Sequence, residues 1–237
     1  MNNYGAQDMV SSLKKVLMKK PQNFMSKVNL KKWNYESPLN QKNIEENYNE
    51  FYEIIKNSVK EIVDLNIENE NGKLCDSIFT HDPSLVINEG AIILNMGKKL
   101  RKKETAEHEK LYNSIDIPIV GKIIDEGTVE GGDCLWIKNN TLLVGESLRT
   151  NRSGIHQLKK ILNYYDVKVF PIALPKQNNA NSCFHLMSLV SMLDHDLAIG
   201  CLSLFSFDLI KIFNDNNIKL ISIPEDEYFK SKTLAVN

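Results

Sequence analysis

Residues 134–172 read CLWIKNNTLLVGESLRTNRSGIHQLKKILNYYDVKVFPI, and the pattern in this stretch leads to the fold prediction. Two short apolar runs, 134–137 and 141–144, precede a helical pattern at 154–164 and a third apolar run at 167–172. Ser153 stands where the cap of a helix N terminus is expected. The stretch therefore predicts a strand, a second strand, a helix and a third strand, in that order.

The same order of elements is predicted on both sides of this stretch. Upstream, the sequence pattern predicts strands at 84–87, 91–95 and 117–124 and a helix at 104–113. Downstream, it predicts strands at 185–193, 197–201 and 218–223 and a helix at 207–213. Corresponding points lie about 50 residues apart, which is typical of repeat architectures. Because such units bury their apolar faces only against one another, we predict an α/β propeller of ββαβ units. A doubly wound sheet is the alternative, but it would show one strand per helix rather than paired strands.

The chain before the repeats is less regular. Apolar residues recur at helical spacing from 41 to 65 and predict one amphipathic helix there. A basic cluster, Lys14, Lys15, Lys19 and Lys20, is expected to face solvent. We therefore divide the chain into residues 1–40, an N-terminal extension with a first strand region, and residues 41–237, a single propeller domain. A fourth repeat would start near residues 233–236, so this domain is expected to be incomplete at its C-terminal end, lacking its last unit.

Composition excludes several classes of protein. The 237 residues are 42% apolar, enough for one sizeable core. A net charge of -1 gives no global field for nucleic acid or an anionic membrane, and neither is predicted as a partner. The polar first residues do not form a signal peptide and no apolar run approaches the roughly 20 residues of a membrane span, so a cytoplasmic protein is expected. The four cysteines, Cys75, Cys134, Cys183 and Cys201, lack the spacing of a zinc site or a disulfide framework.

Polar residues gather in five segments at predicted strand ends and loops, 76–83, 99–104, 126–133, 146–154 and 183–188. In the third, two glycines separate Glu130 from Asp133, which suits either an ordinary turn or a pair of acids around a planar cation. Asp82, before Pro83, fits a turn when taken alone. His185, at the start of an apolar strand, fits a core histidine alone but a proton-transfer group beside a carboxylate such as Glu130.

The arginines of these segments suggest that the same site also binds a carboxylate. Arg101, Arg149 and Arg152 each fit a solvated charge, but together they offer guanidinium groups that bind a carboxylate bidentately. Acids for a cation, arginines for a carboxylate and a histidine for proton movement describe a pocket for a zwitterionic amino acid with a cationic end. Arginine fits that description.

Five ordered motifs resemble a known superfamily. FTHDPSLVI, GAIILNMGKKLRKKE, GTVEGGDCLWI, LRTNRSGIHQL and CFHLMS are similar to segments of the dimethylarginine dimethylaminohydrolase and arginine deiminase superfamily, the guanidino-group-modifying enzymes. The resemblance runs from about residue 76 to the C terminus. It implies the pentein fold, a propeller of five ββαβ units around a pseudo-fivefold axis. It also implies a hydrolase acting on arginine or methylated arginine, whose thiolate attacks the guanidinium carbon to form a thiouronium adduct that water releases as citrulline.

The resemblance assigns roles to individual positions. The implied catalytic residues are Glu130 and His185, and the implied substrate-binding residues are Asp76, Asp82, Arg101, Arg149 and Asp133. Glu130 and Asp82 would grip the guanidinium, and His185 would act as general acid and base. Arg101 and Arg149 would bind the α-carboxylate and Asp76 the α-amine, whereas Asp133 would support its loop. The substrate is a small molecule, and neither a metal nor an organic cofactor is implied.

Two features depart from the superfamily. Its nucleophilic cysteine lies in a Gly-rich segment near the C terminus, and no such segment occurs through Asn237, so the nucleophile is expected to be absent from this chain. Cys183, two residues before His185 on a predicted strand, is poorly oriented to replace it. His81 stands where the superfamily more often has an arginine, which leaves the preferred substrate open.

Other functions therefore stay open. The enzymatic alternatives are an arginine dihydrolase, an arginine deiminase or an amidinotransferase relative, and the non-enzymatic one is an arginine-binding fragment or pseudoenzyme. An unfinished propeller would also expose unpaired strand edges, which predicts self-association as a homodimer.

Overall fold

A computed structural model describes residues 4–22, 25–67, 74–175 and 184–231. Its N-terminal part is a two-stranded parallel sheet of β1 (Lys15–Met18) and β2 (Glu61–Asp64). The helices α1 (Leu30–Trp33) and α2 (Gln41–Ser58) connect the two strands. β1, which lies within the predicted N-terminal extension, thus pairs with a strand beyond residue 41.

Three ββαβ units follow in the described part of the chain. Their elements are β3 (Ser84–Ile87), β4 (Gly90–Ile93), α3 (Glu104–Ser114) and β5 (Ile119–Lys122); β6 (Cys134–Lys138), β7 (Thr141–Glu146), α4 (Arg152–Asn163) and β8 (Lys168–Ala173); and β9 (Val190–Asp194), β10 (Leu197–Gly200), α5 (Phe207–Asp215) and β11 (Lys219–Ser222). In each unit the first two strands form an antiparallel hairpin, and the third pairs parallel with the second. A last helix, α6 (Glu225–Ser231), follows β11. The predicted repeats and the α/β propeller class are confirmed.

Apolar clusters join the units, as expected for repeats that cannot bury their faces alone. Neighbouring residues of a strand point to opposite faces, so Leu142 and Leu143 of β7 enter different clusters. Leu142 packs with residues of the first unit such as Leu85, and Leu143 with residues of the third such as Val190. The second unit therefore forms the middle of a continuous core.

Several predicted elements were too long, two of them by five residues or more at one end. The helix predicted for 41–65 ends at Ser58, because Val59 has an extended backbone and Glu61–Asp64 pairs with β1. The strand predicted from residue 185 begins only at Val190, because the short 3-10 helix Leu186–Ser188 precedes it.

Two local predictions were also wrong. Asn151 rather than Ser153 caps α4, since its side chain accepts a hydrogen bond from the Gly154 amide at 2.8 Å. Lys19, expected on a solvent-facing surface, is 2% exposed. Among the described helices, none is both long and apolar enough to cross a membrane.

Candidate active site

The hairpin topology brings the polar loops of the three units to one end of their sheets. In an antiparallel pair, the start of one strand lies beside the end of the other, and here Ser84 pairs with Ile93, Cys134 with Val144, and Val190 with Gly200. Segments that enter a hairpin therefore lie beside segments that leave it. Asp82, Glu130 and His185 precede the first strands, whereas the loops that carry Arg101 and Arg149 follow the second strands.

Three of the predicted residues meet at this end. Asp82, Glu130 and His185 each place one polar side-chain atom within 4.8 Å of the other two. Glu130 is 1% exposed and His185 8% exposed, while the Asp82 side chain keeps 13% of its surface accessible. Two carboxylates and an imidazole thus line a largely buried site that solvent reaches beside Asp82.

Both oxygens of the Glu130 carboxylate contact other protein groups. Its Oε1 accepts a hydrogen bond from the Lys98 amide at 2.9 Å and lies 3.6 Å from Nη1 of Arg149. Its Oε2 lies 3.5 Å from Nε2 of His185. The Glu130 amide donates to the hydroxyl of Thr150 at 3.1 Å, which ties the backbone to the loop after β7.

Asp82 belongs to a buried network of charges. Its Oδ2 accepts from Nη1 of Arg101 at 2.5 Å, and its Oδ1 accepts from the Gly132 amide at 3.1 Å. Burial raises the pKa of Asp82, but the charges of Arg101 and His185 outweigh it and hold the pKa below its usual value. Asp82 is therefore an ionised acid at neutral pH.

Arg101 is engaged on its other side by Glu104. Nε and Nη2 of Arg101 donate to the Glu104 carboxylate at 2.7–3.1 Å, and Nη2 also donates to the carbonyl of Phe79 at 3.0 Å. Burial raises the pKa of Glu104 to about 7 against the opposing effect of Arg101. Arg101 itself is 4% exposed, so the interpretation of this arginine alone as a solvated charge was wrong.

His185 lies between two carboxylates. While its Nε2 faces Glu130, its Nδ1 lies 3.2 Å from Oδ2 of Asp133. Asp133 has no exposed surface and also accepts from the Ser147 hydroxyl at 2.7 Å and the Leu186 amide at 3.0 Å. Its hydrogen bonds tie the loop after β7 to the segment that carries His185.

The two glycines of the Glu130–Asp133 turn are required by close packing. A Cβ at Gly132 would lie 2.7 Å from Cδ2 of His185, and a Cβ at Gly131 would overlap the carbonyl of His81. Larger residues would therefore push apart the loops that carry the imidazole and Asp82.

The remaining predicted residues lie against protein groups. Asp76 accepts from Nζ of Lys98 at 2.6 Å and from the Tyr35 hydroxyl at 2.9 Å. Arg149 is 8% exposed beside Glu130, so it too differs from a solvated charge, whereas Arg152 is exposed and pairs with Glu146. The assignments of Asp76, Arg101 and Arg149 to a ligand stay predictions.

The same cluster has the donor atoms of a cation site. Asp82, Glu130 and His185 each offer one ligand atom. The guanidinium groups of Arg101 and Arg149 lie 2.5 Å from Asp82 and 3.6 Å from Glu130, and the positive charge that they place beside the two acids disfavours a divalent ion.

Sequence reasoning missed several supporting residues. They are Lys98, Glu104, Ser147 and Thr150. Lys98 and Glu104 are the first and last residues of the run KKLRKKE. Nothing in the sequence of this run distinguishes a buried charge from an exposed one. Ser147 and Thr150 stand in a segment already singled out, but small hydroxyl residues are common in any loop.

Comparisons with known proteins find related sequences. A family model described as arginine deiminase matches residues 53–232. The N(G),N(G)-dimethylarginine dimethylaminohydrolase of Pseudomonas aeruginosa is 31% identical over 177 residues, which cover 74% of this chain and 64% of the relative. The protein of the same description from Streptomyces coelicolor is 31% identical over 151 residues, 64% of this chain and 53% of the relative. The chain thus spans 53–64% of the length of these curated relatives.

Solved structures show the same fold. The dimethylarginine dimethylaminohydrolase of Pseudomonas aeruginosa, a cysteine-to-serine mutant complexed with citrulline, aligns with a TM-score of 0.73 at 25% identity over 92% of this chain and 78% of that chain. The N-terminal domain of ArgZ, an arginine dihydrolase from Cyanobacteria bound to its substrate, aligns with a TM-score of 0.72 over 90% of this chain and 76% of that chain. The second is 17% identical and bears on the fold alone.

Proposed function

The chain belongs to the arginine deiminase family, and from this premise we propose that it binds the guanidinium group of arginine or methylated arginine as part of an amidine hydrolase. The observation that carries the proposal is the meeting of Asp82, Glu130 and His185 within 4.8 Å at a largely buried site. Paired acids with an adjacent imidazole suit recognition of a planar cation followed by proton transfer.

The two acids would hold the guanidinium. A planar cation offers N–H donors along its edges, and carboxylates accept such donors in pairs. Asp82 and Glu130 approach the site from different loops, and each is fixed by other protein groups. A cation entering between them would meet acceptors that need little reorganisation.

His185 would move the protons. In the proposed reaction a thiolate bonds to the guanidinium carbon, the carbon–nitrogen bond breaks, and the imidazolium gives its proton to the departing amine. The neutral imidazole then takes a proton from the water that attacks the thiouronium carbon. The tetrahedral adduct then expels the thiolate and loses its remaining hydroxyl proton to the released amine or to solvent, and citrulline is the product. Asp133 and Glu130 flank the ring at 3.2 Å and 3.5 Å, where their carboxylates can face its N–H groups.

The thiolate is not assigned to any described cysteine. Cys75, Cys134 and Cys201 are buried, and burial, together with the nearby carboxylates of Asp133 and Asp82, raises the pKa of Cys134 and keeps its thiol protonated. Cys183, considered above as a substitute nucleophile, lies outside the described residues. Binding and turnover are therefore tested separately.

Binding is tested by calorimetry with L-arginine, asymmetric dimethylarginine and citrulline. We expect Asp82→Asn and Glu130→Gln each to weaken arginine binding at least tenfold, since each removes a hydrogen bond between charged groups. Glu89→Gln, in the exposed turn at the other end of the β3–β4 hairpin, is the matched control and should bind like wild type. Unchanged affinity in both acid variants would refute the proposed pocket.

Turnover is tested by product analysis. The product distinguishes the enzymatic alternatives. Dimethylamine from dimethylarginine would indicate the hydrolase, ammonia and citrulline from arginine the deiminase, and ornithine from arginine the dihydrolase. If product forms, Cys183→Ser shows whether that thiol is the nucleophile. Binding without any product would favour the non-catalytic alternative. A cytoplasmic location and a homodimer remain part of this proposal.

A further inference from the structure

Residues 97–101 touch three of the loops that form the candidate active site. A Cβ at Gly97 would overlap the Arg149 backbone, so this segment packs directly on the loop after β7. The Lys98 amide donates to Glu130 at 2.9 Å, and the Arg101 guanidinium donates to Asp82 at 2.5 Å. One short segment therefore holds both acids of the proposed guanidinium site.

The Lys98 side chain is anchored by residues outside the Asp82, Glu130 and His185 cluster. Its Nζ donates to Oδ2 of Asp76 at 2.6 Å and to the carbonyl of Trp33 at 3.0 Å. The same ammonium lies 5.3 Å from the centre of the Trp33 ring, within cation–π range. Asp76 is in turn bound by the Tyr35 hydroxyl. The side chains of Lys98 and Asp76 are only 15% and 8% exposed, so the pair has been removed from water.

A buried ion pair is costly to desolvate and contributes to stability only when its geometry is well satisfied. Here all three polar groups of Lys98 have partners. The ammonium donates to Asp76 and to the Trp33 carbonyl, and the Lys98 amide donates to Glu130. The Lys98 carbonyl accepts from the Arg101 amide at 2.8 Å. The side chain that is anchored in the ion pair and the amide that donates to Glu130 therefore belong to the same residue.

We infer that Lys98 is a positioning residue for Glu130: its buried side chain, clamped by Asp76 and Trp33, fixes the backbone N–H that orients the guanidinium-binding carboxylate. The inference rests on the proposed function only in taking Glu130 as a guanidinium ligand. It gives Asp76 a second role beside the α-amine contact that the sequence predicts.

The test compares Lys98→Met, which keeps the length of the side chain but removes the ammonium, with Lys98→Arg, which keeps a cation. Lys99→Met is the matched control, because Lys99 is the exposed neighbour. The ligands are L-arginine and 5-guanidinopentanoate, which is arginine without its α-amine. If Lys98 acts through Glu130, Lys98→Met weakens both ligands about tenfold, the size expected for one hydrogen bond to a charged group. Lys98→Arg should restore part of that loss, and Lys99→Met should bind like wild type.

Two outcomes would overturn the inference. Weaker binding of arginine with unchanged binding of 5-guanidinopentanoate would show that Lys98 acts on the α-amine through Asp76. Unchanged binding of both ligands would show that the ion pair does not position Glu130. If Lys98→Met fails to fold, Asp76→Asn breaks the same ion pair while retaining Lys98, and the 5-guanidinopentanoate comparison is made with that variant.

A measurement without ligand separates this inference from the proposed function. Amide hydrogen exchange at position 98, followed by NMR, should be about tenfold faster in Lys98→Met and unchanged in Lys99→Met, because a loosened amide spends more time unbonded. If wild type binds neither ligand, the proposed function fails, and this exchange rate still decides whether the side chain holds the amide. An exchange rate equal to that of wild type would refute the positioning role.

Discussion

Acid should destabilise this protein through His108, a histidine buried beneath the candidate active site. His108 is on α3 with 0% of its surface exposed. Its Nδ1 lies 3.0 Å from the Ser84 hydroxyl, and its Nε2 has no hydrogen-bond partner among the described residues. Burial, aided by the positive charge of Arg101 and opposed by Asp82, lowers the pKa of His108 from 6.5 to about 4.

The direction and size of the effect follow from these two pKa values. Between pH 6.5 and about 4, the unfolded chain binds a proton at His108 that the folded chain does not, so lowering the pH favours unfolding. The stability that neutral His108 retains above pH 6.5 is lost progressively down to about pH 4. The difference between a pKa of 6.5 in the unfolded chain and about 4 in the folded chain corresponds to about 3 kcal/mol of unfolding free energy.

Urea denaturation of wild type and His108→Gln at pH 7.5, 6, 5 and 4 measures this effect. The variant should be less stable at neutral pH, since it disturbs a packed site, but its unfolding free energy should fall less between pH 6.5 and 4. The difference in slope isolates His108 from the other titrating groups. His156→Gln, on the exposed face of α4, is the matched control and should keep the wild-type slope. Equal slopes in wild type and His108→Gln, or an NMR titration of the folded His108 ring near pH 6.5, would refute the reasoning.

Three further predictions concern residues in or next to the loops around the site. Gly132→Ala places a Cβ 2.7 Å from the His185 ring and should lower the unfolding free energy in urea by about 1–3 kcal/mol; an unchanged midpoint would contradict the close packing. Asn151→Ala removes the cap of α4 and should cost about 1 kcal/mol in the same assay, whereas wild-type stability would argue against the cap. Because burial raises its pKa, the Cys134 thiol should resist iodoacetamide at pH 8 in the native protein, as read by mass spectrometry; modification without unfolding would show that it is accessible.

The three ββαβ units were predictable from sequence because their signals are local. Apolar runs such as 141–144, a helix-spaced pattern such as 154–164 and the polar turns between them report on neighbouring residues alone. The parallel pairing of β1 with β2 was not predictable in the same way. Those two short strands are more than forty residues apart and partly exposed, so their apolar pattern is weak and their pairing depends on contacts between distant segments.

The acids and histidine of the site were recognisable as residue types in ordered motifs, and the structure brings Asp82, Glu130 and His185 together. Their supports were not recognisable. In the run KKLRKKE, Lys98 and Arg101 are largely buried against acids while Lys99 faces solvent, although all three are cations in one short segment.

Local pattern and motif were thus sufficient for the repeat, its order of elements and the chemical groups of the candidate site. The three-dimensional packing was needed to show which charges are buried and which carboxylate each cation faces. It also showed that the Lys98 side chain and the Lys98 amide bind residues of different segments, Asp76 and Glu130. The physical reason is that strand and helix periodicity arises from neighbours in the chain, whereas desolvation and ion pairing depend on groups that folding brings from far apart.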